Sequence, residues 1–131
     1  SENMSNTIRR LPDSELEIMM IIWEAKEPVT SAYVSEKLKD KKQWKITSIL
    51  TFLARLAEKG FITSKREGKN NVYAAVISEQ EYLENEGKTF LEKLYGNSLT
   101  SFVASLYKVN AINDEDLTEL QQFIDKTTKG D

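Results

Sequence analysis

The feature that most constrains the fold is an amphipathic run at residues 46–59 that stops at a glycine and passes at once into a strand-like segment. At about 100° per residue, one face of a helix there collects apolar side chains, namely Ile46, Ile49, Phe52, Leu53, Leu56 and Ala57. The opposite face carries small or hydrogen-bonding side chains, namely Thr47, Ser48, Thr51, Ala54, Arg55 and Glu58. Gly60 supplies the left-handed residue that ends a helix, and Phe61 starts an extended segment. The run predicts a helix with one face in a core and the other narrow enough to enter a DNA major groove.

Two shorter helical segments precede this run. The first has apolar residues at the i, i+3, i+4, i+7 spacing, namely Leu16, Met19, Met20 and Trp23. A cap at Asp13 or Ser14 predicts that it runs from about residue 13 to residue 25. The segment Val29-Thr30-Ser31 offers a cap for a second helix that ends near residue 39. Two helices before the amphipathic run and a hairpin after it are typical of a winged helix-turn-helix.

A β-hairpin is predicted directly after Gly60, with strands at about residues 61–66 and 72–77. Its tip contains glycine and asparagine, which accept a positive φ. Polar and basic side chains lie at or near this tip, namely Lys65, Arg66, Lys69 and Asn70. Beside a groove-bound helix they would reach phosphates or the adjacent minor groove. The alternative is that these charges only protect the edge of a two-stranded sheet.

Beyond residue 77 the pattern is that of three acidic amphipathic helices. Ser78 and Glu81 form a capping box, Gly96 ends the first helix, and Asn113 or Asp114 caps the last. The apolar stripes contain Phe90, Leu94, Leu99, Phe102, Val103, Leu106, Leu117, Leu120 and Ile124. Because a segment of about fifty residues cannot easily bury this surface alone, we expect it to form a homodimer interface. The alternative is a monomer in which these helices pack on their own winged domain.

The predicted fold is therefore mainly α with a small β-hairpin wing. An N-terminal winged helix-turn-helix domain is expected at residues 8–77, and a C-terminal three-helix dimerisation region at residues 78–131. A twofold dimer of such units matches a palindromic operator in double-stranded DNA. The residues expected to contact DNA from the recognition helix are Lys45, Thr47, Ser48, Thr51 and Arg55.

The composition argues against several classes of protein. The chain has no cysteine and no histidine, which removes disulfides, thiol catalysis, Cys-ligated metal and the usual acid/base residue of hydrolases. We therefore expect neither an enzyme nor a metal or cofactor. No apolar run approaches the ~20 residues that span a bilayer, and no signal-peptide pattern is present. A cytoplasmic protein without direct membrane insertion is expected.

The net charge of −3 hides an asymmetry between the two halves. Residues 1–77 hold thirteen Lys/Arg against ten Asp/Glu, a balance of +3, whereas residues 78–131 hold five against eleven, a balance of −6. Residues 37–69 contain ten basic residues and only three acidic ones. Local positive charge attracts phosphates and the acidic half repels them, which favours one orientation on DNA. A solvated lysine-rich surface is the alternative explanation.

Two other functions stay open from the residues. A winged helix can serve as a protein-interaction module, whose basic strip would meet an acidic partner. A DNA-binding regulator can also be released by a small effector, although no effector pocket is marked in the sequence.

The chain resembles the penicillinase-repressor (BlaI/MecI) group of bacterial winged-helix regulators from Leu11 to about Ile124. The segment LPDSELEIMMIIWE at 11–24 is similar to the opening helix of that group. The recognition-helix pattern is matched by Trp44, Thr47, Ser48, Ile49, Thr51, Leu53, Arg55, Leu56, Lys59, Gly60, Phe61 and Ile62. The wing is matched by Gly68, Lys69 and Tyr73, and the second dimerisation helix by NSLTSFVASL at 97–106.

The resemblance implies a homodimeric transcriptional repressor at a palindromic operator, often controlling β-lactam resistance genes and its own operon. It also implies inactivation triggered by a membrane sensor peptidase, with a protease cutting an Asn-Phe bond in the dimerisation region. The corresponding bond in this chain is Ser101-Phe102, where serine replaces asparagine. A copper-responsive branch uses a Cys-x-Cys pair, and this chain has no cysteine.

Overall fold

The computed structural model describes residues 8–129, which form six α-helices and one two-stranded hairpin. In chain order the elements are α1 (Asp13–Ala25), α2 (Ser31–Leu38), α3 (Ile46–Glu58), β1 (Ile62–Glu67), β2 (Asn70–Ala75), α4 (Glu79–Tyr95), α5 (Leu99–Lys108) and α6 (Asp114–Thr128). The predicted fold class, mainly α with a hairpin wing, is confirmed. Within the described part of the chain, every helix is too short or too polar to cross a membrane.

The chain divides into two compact units, one up to Glu86 and one from Gly87 onward. The expected domain boundary after residue 77 stays a prediction. Each unit is described by itself.

The first unit buries a single apolar core beneath α1, α2, α3 and the hairpin. Its buried residues are Leu11, Ile18, Met19, Ile22, Trp23, Val29, Val34, Leu38, Ile49, Leu53, Leu56, Phe61, Ile62, Tyr73 and Tyr82. The three residues that α3 contributes were all predicted on its apolar face. Ile46 from the same predicted face is 44% exposed, because it is the first residue of α3 and lies at the margin of the core.

The apolar stripe of α1 differs from the predicted one. Met19 and Trp23 are buried as expected, but Met20 is 48% exposed, so its assignment to the core was wrong. The buried side of α1 is Glu15, Ile18, Met19, Ile22 and Trp23. The helical spacing is therefore i, i+3, i+4, i+7 counted from Glu15, and a carboxylate occupies the first position of the apolar stripe.

Helix ends follow side-chain capping in most places. The hydroxyl of Thr30 accepts a hydrogen bond from the backbone of Tyr33 at 3.1 Å, as predicted. The predicted box at α4 is present, since Ser78 N donates to Glu81 Oε1 at 2.9 Å and Glu81 N donates to Ser78 Oγ at 3.0 Å. A further box caps α6 with the side chain of Asn113.

The predicted cap of α1 at Asp13 or Ser14 was wrong. Pro12 is the N-cap residue, its backbone is extended, and no side chain caps the helix. Asp13 is already the first helical residue, where its carboxylate stabilises the positive end of the helix dipole.

The wing is an antiparallel pair in which Ile62 lies opposite Ala75 and Glu67 opposite Asn70. Its loop is therefore only Gly68-Lys69, shorter than predicted, and Gly68 has the positive φ of 62° that a two-residue hairpin loop requires at its first position. Val29 adds an unpredicted bridge beside β2. Its N–H donates to Tyr73 O at 3.0 Å, and Tyr73 N donates to Val29 O at 2.7 Å.

Tyr82 fixes the start of α4 to the first unit. Its hydroxyl accepts a hydrogen bond from Leu11 N at 2.9 Å, and its ring lies 5.7 Å from Trp23 and 5.8 Å from Phe61. Burial raises the pKa of the Tyr82 hydroxyl, which therefore stays neutral. Trp23 Nε1 in turn donates to Ile77 O at 2.9 Å. The first turn of α4 thus belongs to the core of the first unit.

The second unit contains an aromatic cluster but no buried residue. Phe102 lies 5.4 Å from Phe90 and 5.2 Å from Tyr95 between ring centroids, and Tyr95 hydroxyl is 3.0 Å from Ser105 Oγ. From residue 87 to residue 129 every side chain is half-buried or exposed. Burial of apolar surface within this unit is incomplete.

Substitution of two glycines by alanine should have opposite effects on stability. Gly87 lies inside α4 with no atom within 4 Å of an added Cβ, so Gly87→Ala should raise the free energy of unfolding by up to about 1 kcal/mol. Gly60 has a φ of 85°, so Gly60→Ala should lower it by about 1–2 kcal/mol. Urea unfolding followed by circular dichroism, at one protomer concentration, measures both. A clear loss of stability in Gly87→Ala would contradict this and would indicate a second chain close to that position.

Candidate nucleic-acid interface

The outer face of α3 is polar and accessible. Thr47, Thr51 and Arg55 are exposed and Ser48 is half-buried. The hydroxyl of Thr51 donates to the carbonyl of Thr47 at 3.0 Å, so Thr51 offers acceptor lone pairs and a methyl group rather than a donor. Among residues 8–129 no carboxylate forms an ion pair with Arg55. Four predicted residues therefore lie on one helix, and the guanidinium keeps its donors for a ligand.

The N-terminus of α3 adds backbone donors that sequence reasoning missed. Lys45 is the N-cap residue with extended backbone, and no side chain caps the helix. The N–H groups of Ser48 and Ile49 donate to Lys45 O, which leaves those of Ile46 and Thr47 without a partner in the helix ladder. The first turn carries no acidic residue. Such an end, with a lysine at the cap, suits a phosphate oxygen.

The wing residues are all exposed but do not share one face. Lys65 lies opposite Val72 and Arg66 opposite Asn71, and adjacent residues of a strand point to opposite sides. Arg66 follows the same alternation as buried Ile62, and its Nε donates to Gly68 O at 3.0 Å. Lys65 is on the other side. Lys65 and Arg66 were predicted together near the hairpin tip. The alternation of side chains along the strand places them on opposite faces.

Positive charge in this region is mostly not neutralised within the chain. Of the ten basic residues between 37 and 69, Lys39 pairs with Glu36 at 3.0 Å and Lys59 with Glu15. In the described part of the chain the remaining eight form no ion pair, including Lys45, Lys65 and Lys69. The result is a positive surface around the exposed side of α3.

A buried ion pair holds the end of α3 against α1. Glu15 is 2% exposed, and Lys59, the C-cap residue of α3, donates to its carboxylate. Lys59 therefore already has an acidic partner within the first unit. The sequence does contain a sign of this pair, because Glu15 is the first residue on the buried side of α1. The predicted apolar stripe ran through Met20 instead and did not include Glu15.

Seven of the nine predicted dimer residues fall into two groups in the second unit. Five of them line one apolar groove of about 330 Å³ on α5 and α6, namely Leu99, Val103, Leu117, Leu120 and Ile124. Phe90 and Phe102 instead belong to the aromatic cluster within the chain. Leu106 is half-buried and Leu94 is 66% exposed.

The bond between Ser101 and Phe102 lies in the first turn of α5. Ser101 N donates to Ser98 Oγ at 3.1 Å, and Phe102 N donates to Ser98 O at 3.2 Å. Both residues of this predicted cleavage bond are thus helical, one exposed and one half-buried.

A three-helix unit, a hairpin wing and an exposed polar helix surrounded by unneutralised cations define a winged helix-turn-helix protein of the DNA-binding class. The family profile described as Penicillinase repressor matches residues 11–126, and the chain belongs to this family. Its members are DNA-binding repressors rather than enzymes.

Relatives of nearly equal length agree with the assignment. The penicillinase repressor of Bacillus licheniformis is 31% identical over 119 residues, which is 91% of this chain and 92% of that protein. The methicillin resistance regulatory protein MecI of Staphylococcus aureus is 27% identical over 123 residues, covering 94% and 99%. The solution structure of the DNA-binding domain of the repressor BlaI is similar with a TM-score of 0.50 and 34% identity, over 58% of this chain and 92% of that domain.

The pair of Glu15 and Lys59 generates a prediction about stability. Lys59→Met leaves the Glu15 carboxylate buried without a partner, and it should lower the free energy of unfolding by about 3 kcal/mol. Replacing both residues by methionine should recover most of this loss, because no unpaired charge remains. Chemical denaturation of the single and double variants measures the difference. If the double variant is as unstable as Lys59→Met, desolvation of Glu15 is not the cause.

Proposed function

We propose that this chain is a homodimeric transcriptional repressor that binds a palindromic operator, with α3 in the major groove of each half-site. The observation that carries the proposal is the exposed polar face of α3 beside an uncapped helix N-terminus and unpaired lysines. The likeness to the BlaI DNA-binding domain supports the same use of the fold.

Within each half-site, Thr47, Ser48, Thr51 and Arg55 meet base edges or the nearest phosphates. An arginine can donate two hydrogen bonds to the O6 and N7 of guanine, and a threonine methyl group can contact thymine. Lys45 and the free N–H groups beside it bind a phosphate. The wing contributes Lys65, Arg66, Lys69 and Asn70 to the flanking backbone or minor groove.

The second unit provides the partner interface. None of its side chains from residue 87 to residue 129 is buried, and several large apolar ones are exposed, including Leu99 and Ile124 at 55% and 41%. Pairing two copies through the groove on α5 and α6 would remove this surface from water. It also doubles the number of half-sites that one repressor engages.

The relatives suggest what the repressor controls. Their names, penicillinase repressor and methicillin resistance regulatory protein, support a target in a β-lactam-resistance or related sensor-peptidase operon. The proposal includes release by a protease downstream of a membrane sensor peptidase, at Ser101-Phe102. That bond is helical, so the first turn of α5 must open before a protease can bind it in extended form.

The test is a footprint of the purified full chain on the duplex immediately upstream of its own coding sequence, repeated at rising salt. We expect protection of two half-sites related by a twofold axis, and loss of protection as salt rises, because counterions are released from phosphates. An absence of protection at low salt would overturn the repressor proposal.

Substitution of a proposed phosphate contact makes the same test quantitative. Lys45→Ala should make the log–log dependence of affinity on salt shallower by about one unit per half-site, so by about two for a dimer. Lys126→Ala, on α6, removes an equal charge from the second unit and should leave the slope unchanged. Equal slopes for the two variants would contradict a phosphate contact by Lys45.

The dimer proposal predicts the effect of a charge placed in the apolar groove. Leu99→Asp should raise the dimer dissociation constant at least about 100-fold, since two buried carboxylates cost about 3 kcal/mol or more. Operator affinity should fall with it, as the second half-site is lost. Gln122→Asp on α6 lies outside the groove and serves as the control. Sedimentation equilibrium and operator titration measure both effects, and a monomeric variant with unchanged operator affinity would reject the proposal.

Phe102→Asp is a weaker choice for the same purpose. Phe102 packs against Phe90 and Tyr95 of its own chain, so its loss would disturb the unit itself.

A further inference from the structure

Two aromatic rings in contact, one on α3 and one in the loop before it, each lie close to a cationic side chain. The ring of Phe52 on α3 lies 5.2 Å from that of Trp44, with an angle of 63° between the planes. The guanidinium carbon of Arg55 is 6.0 Å from the centre of the Phe52 ring. Lys42 Nζ is 5.9 Å from the centre of the Trp44 ring. The arrangement links the loop before α3 to the third turn of the helix.

We propose that Phe52 is a positioning residue for DNA recognition, because its ring holds the Arg55 guanidinium where it meets the operator. The inference rests on the proposed function, in which Arg55 contacts DNA. It assigns to Phe52 a contribution that depends on its aromatic ring and not only on its apolar volume.

The physical reason lies in the freedom of arginine. An exposed arginine has several rotatable bonds, and ordering it on DNA costs conformational entropy. A cation on the face of an aromatic ring is attracted to the electron-rich π system, and the planar guanidinium can stack there while its N–H groups stay free to donate. Phe52 is one helical turn from Arg55, so the two side chains are neighbours on the helix surface.

The surroundings of both residues support this assignment. Arg55 has no carboxylate partner among residues 8–129 that would hold it instead. Phe52 is half-buried and packs against the core, and its edge-to-face contact with Trp44 fixes the plane of its ring. A fixed ring offers Arg55 one preferred orientation before DNA arrives.

The experiment is a double-mutant cycle on the full chain, using the duplex upstream of its own coding sequence as the probe. Phe52→Leu keeps an apolar, helix-favouring side chain but removes the ring. We expect it to weaken binding about two- to five-fold per half-site, and therefore about 4- to 25-fold for a dimer on both half-sites. In the Arg55→Ala background the same change should have almost no further effect.

Phe52→Tyr is the matched control, because it retains an aromatic ring and should bind within about two-fold of the unchanged chain. Thermal unfolding of each variant checks that the core is intact. An equal loss from Phe52→Leu in both Arg55 backgrounds, or an equal loss from Phe52→Tyr, would overturn the proposal and leave Phe52 as a packing residue.

The outcomes separate this inference from the repressor proposal. If the unchanged chain does not bind the duplex, the repressor proposal fails. If it binds, but Arg55→Ala binds as tightly, then the proposed contact of Arg55 with DNA and its positioning by Phe52 are both rejected, while the repressor proposal stands.

Discussion

Burial of one side of α3 is the constraint on which the rest of the first unit depends. Ile49, Leu53 and Leu56 are 1% exposed or less, and a helix with a period of 3.6 residues must then present Thr47, Thr51 and Arg55 to solvent. The orientation of the recognition face is thus fixed by core packing rather than by any polar contact on the face itself. A change in the packing of this buried side would rotate the exposed residues together.

Both ends of α3 are held by different interactions. At its C-terminal end Lys59 pairs with buried Glu15 of α1, and at its N-terminal side the ring of Trp44 packs on Phe52. Replacing a buried ion pair with apolar side chains is often neutral for stability, so the pair is better explained as fixing the position of the helix than as a source of folding energy.

The two units differ in how completely they bury their own side chains. The first unit encloses fifteen buried apolar residues, whereas the second has none between residues 87 and 129. A unit that gains its burial from another copy is stabilised by mass action, so its order depends on protein concentration. The proposed control through α5 and α6 would then act on the unit that buries less of its own surface and leave the core of the first unit intact.

Local pattern predicted the elements, while long-range partners could not be predicted from it. The bounds of α1, the glycine after α3 and the capping boxes at Ser78 and Asn113 follow from neighbouring residues alone. Glu15 was missed because its partner is 44 residues away, and the core position of Tyr82 depends on Leu11, 71 residues away. For the candidate site, the composition of the α3 face was predictable. The separation of Lys65 from Arg66 needed the strand register.

If α3 reads DNA as proposed, the chemistry of its exposed face limits how much sequence one copy can read. Arg55 is the single cationic side chain between Ile46 and Glu58. The hydroxyl of Thr51 already donates a hydrogen bond to the backbone carbonyl of Thr47. One arginine fork and small polar groups discriminate few base pairs, since each good bidentate contact contributes about 1–3 kcal/mol. Under the proposed function, specificity for a long site would therefore come from pairing two half-sites and from DNA shape. Under that limit, holding Arg55 in one orientation would matter more than adding further contacts. A disordered Arg55 guanidinium would lose part of the small discrimination between base pairs that the helix provides.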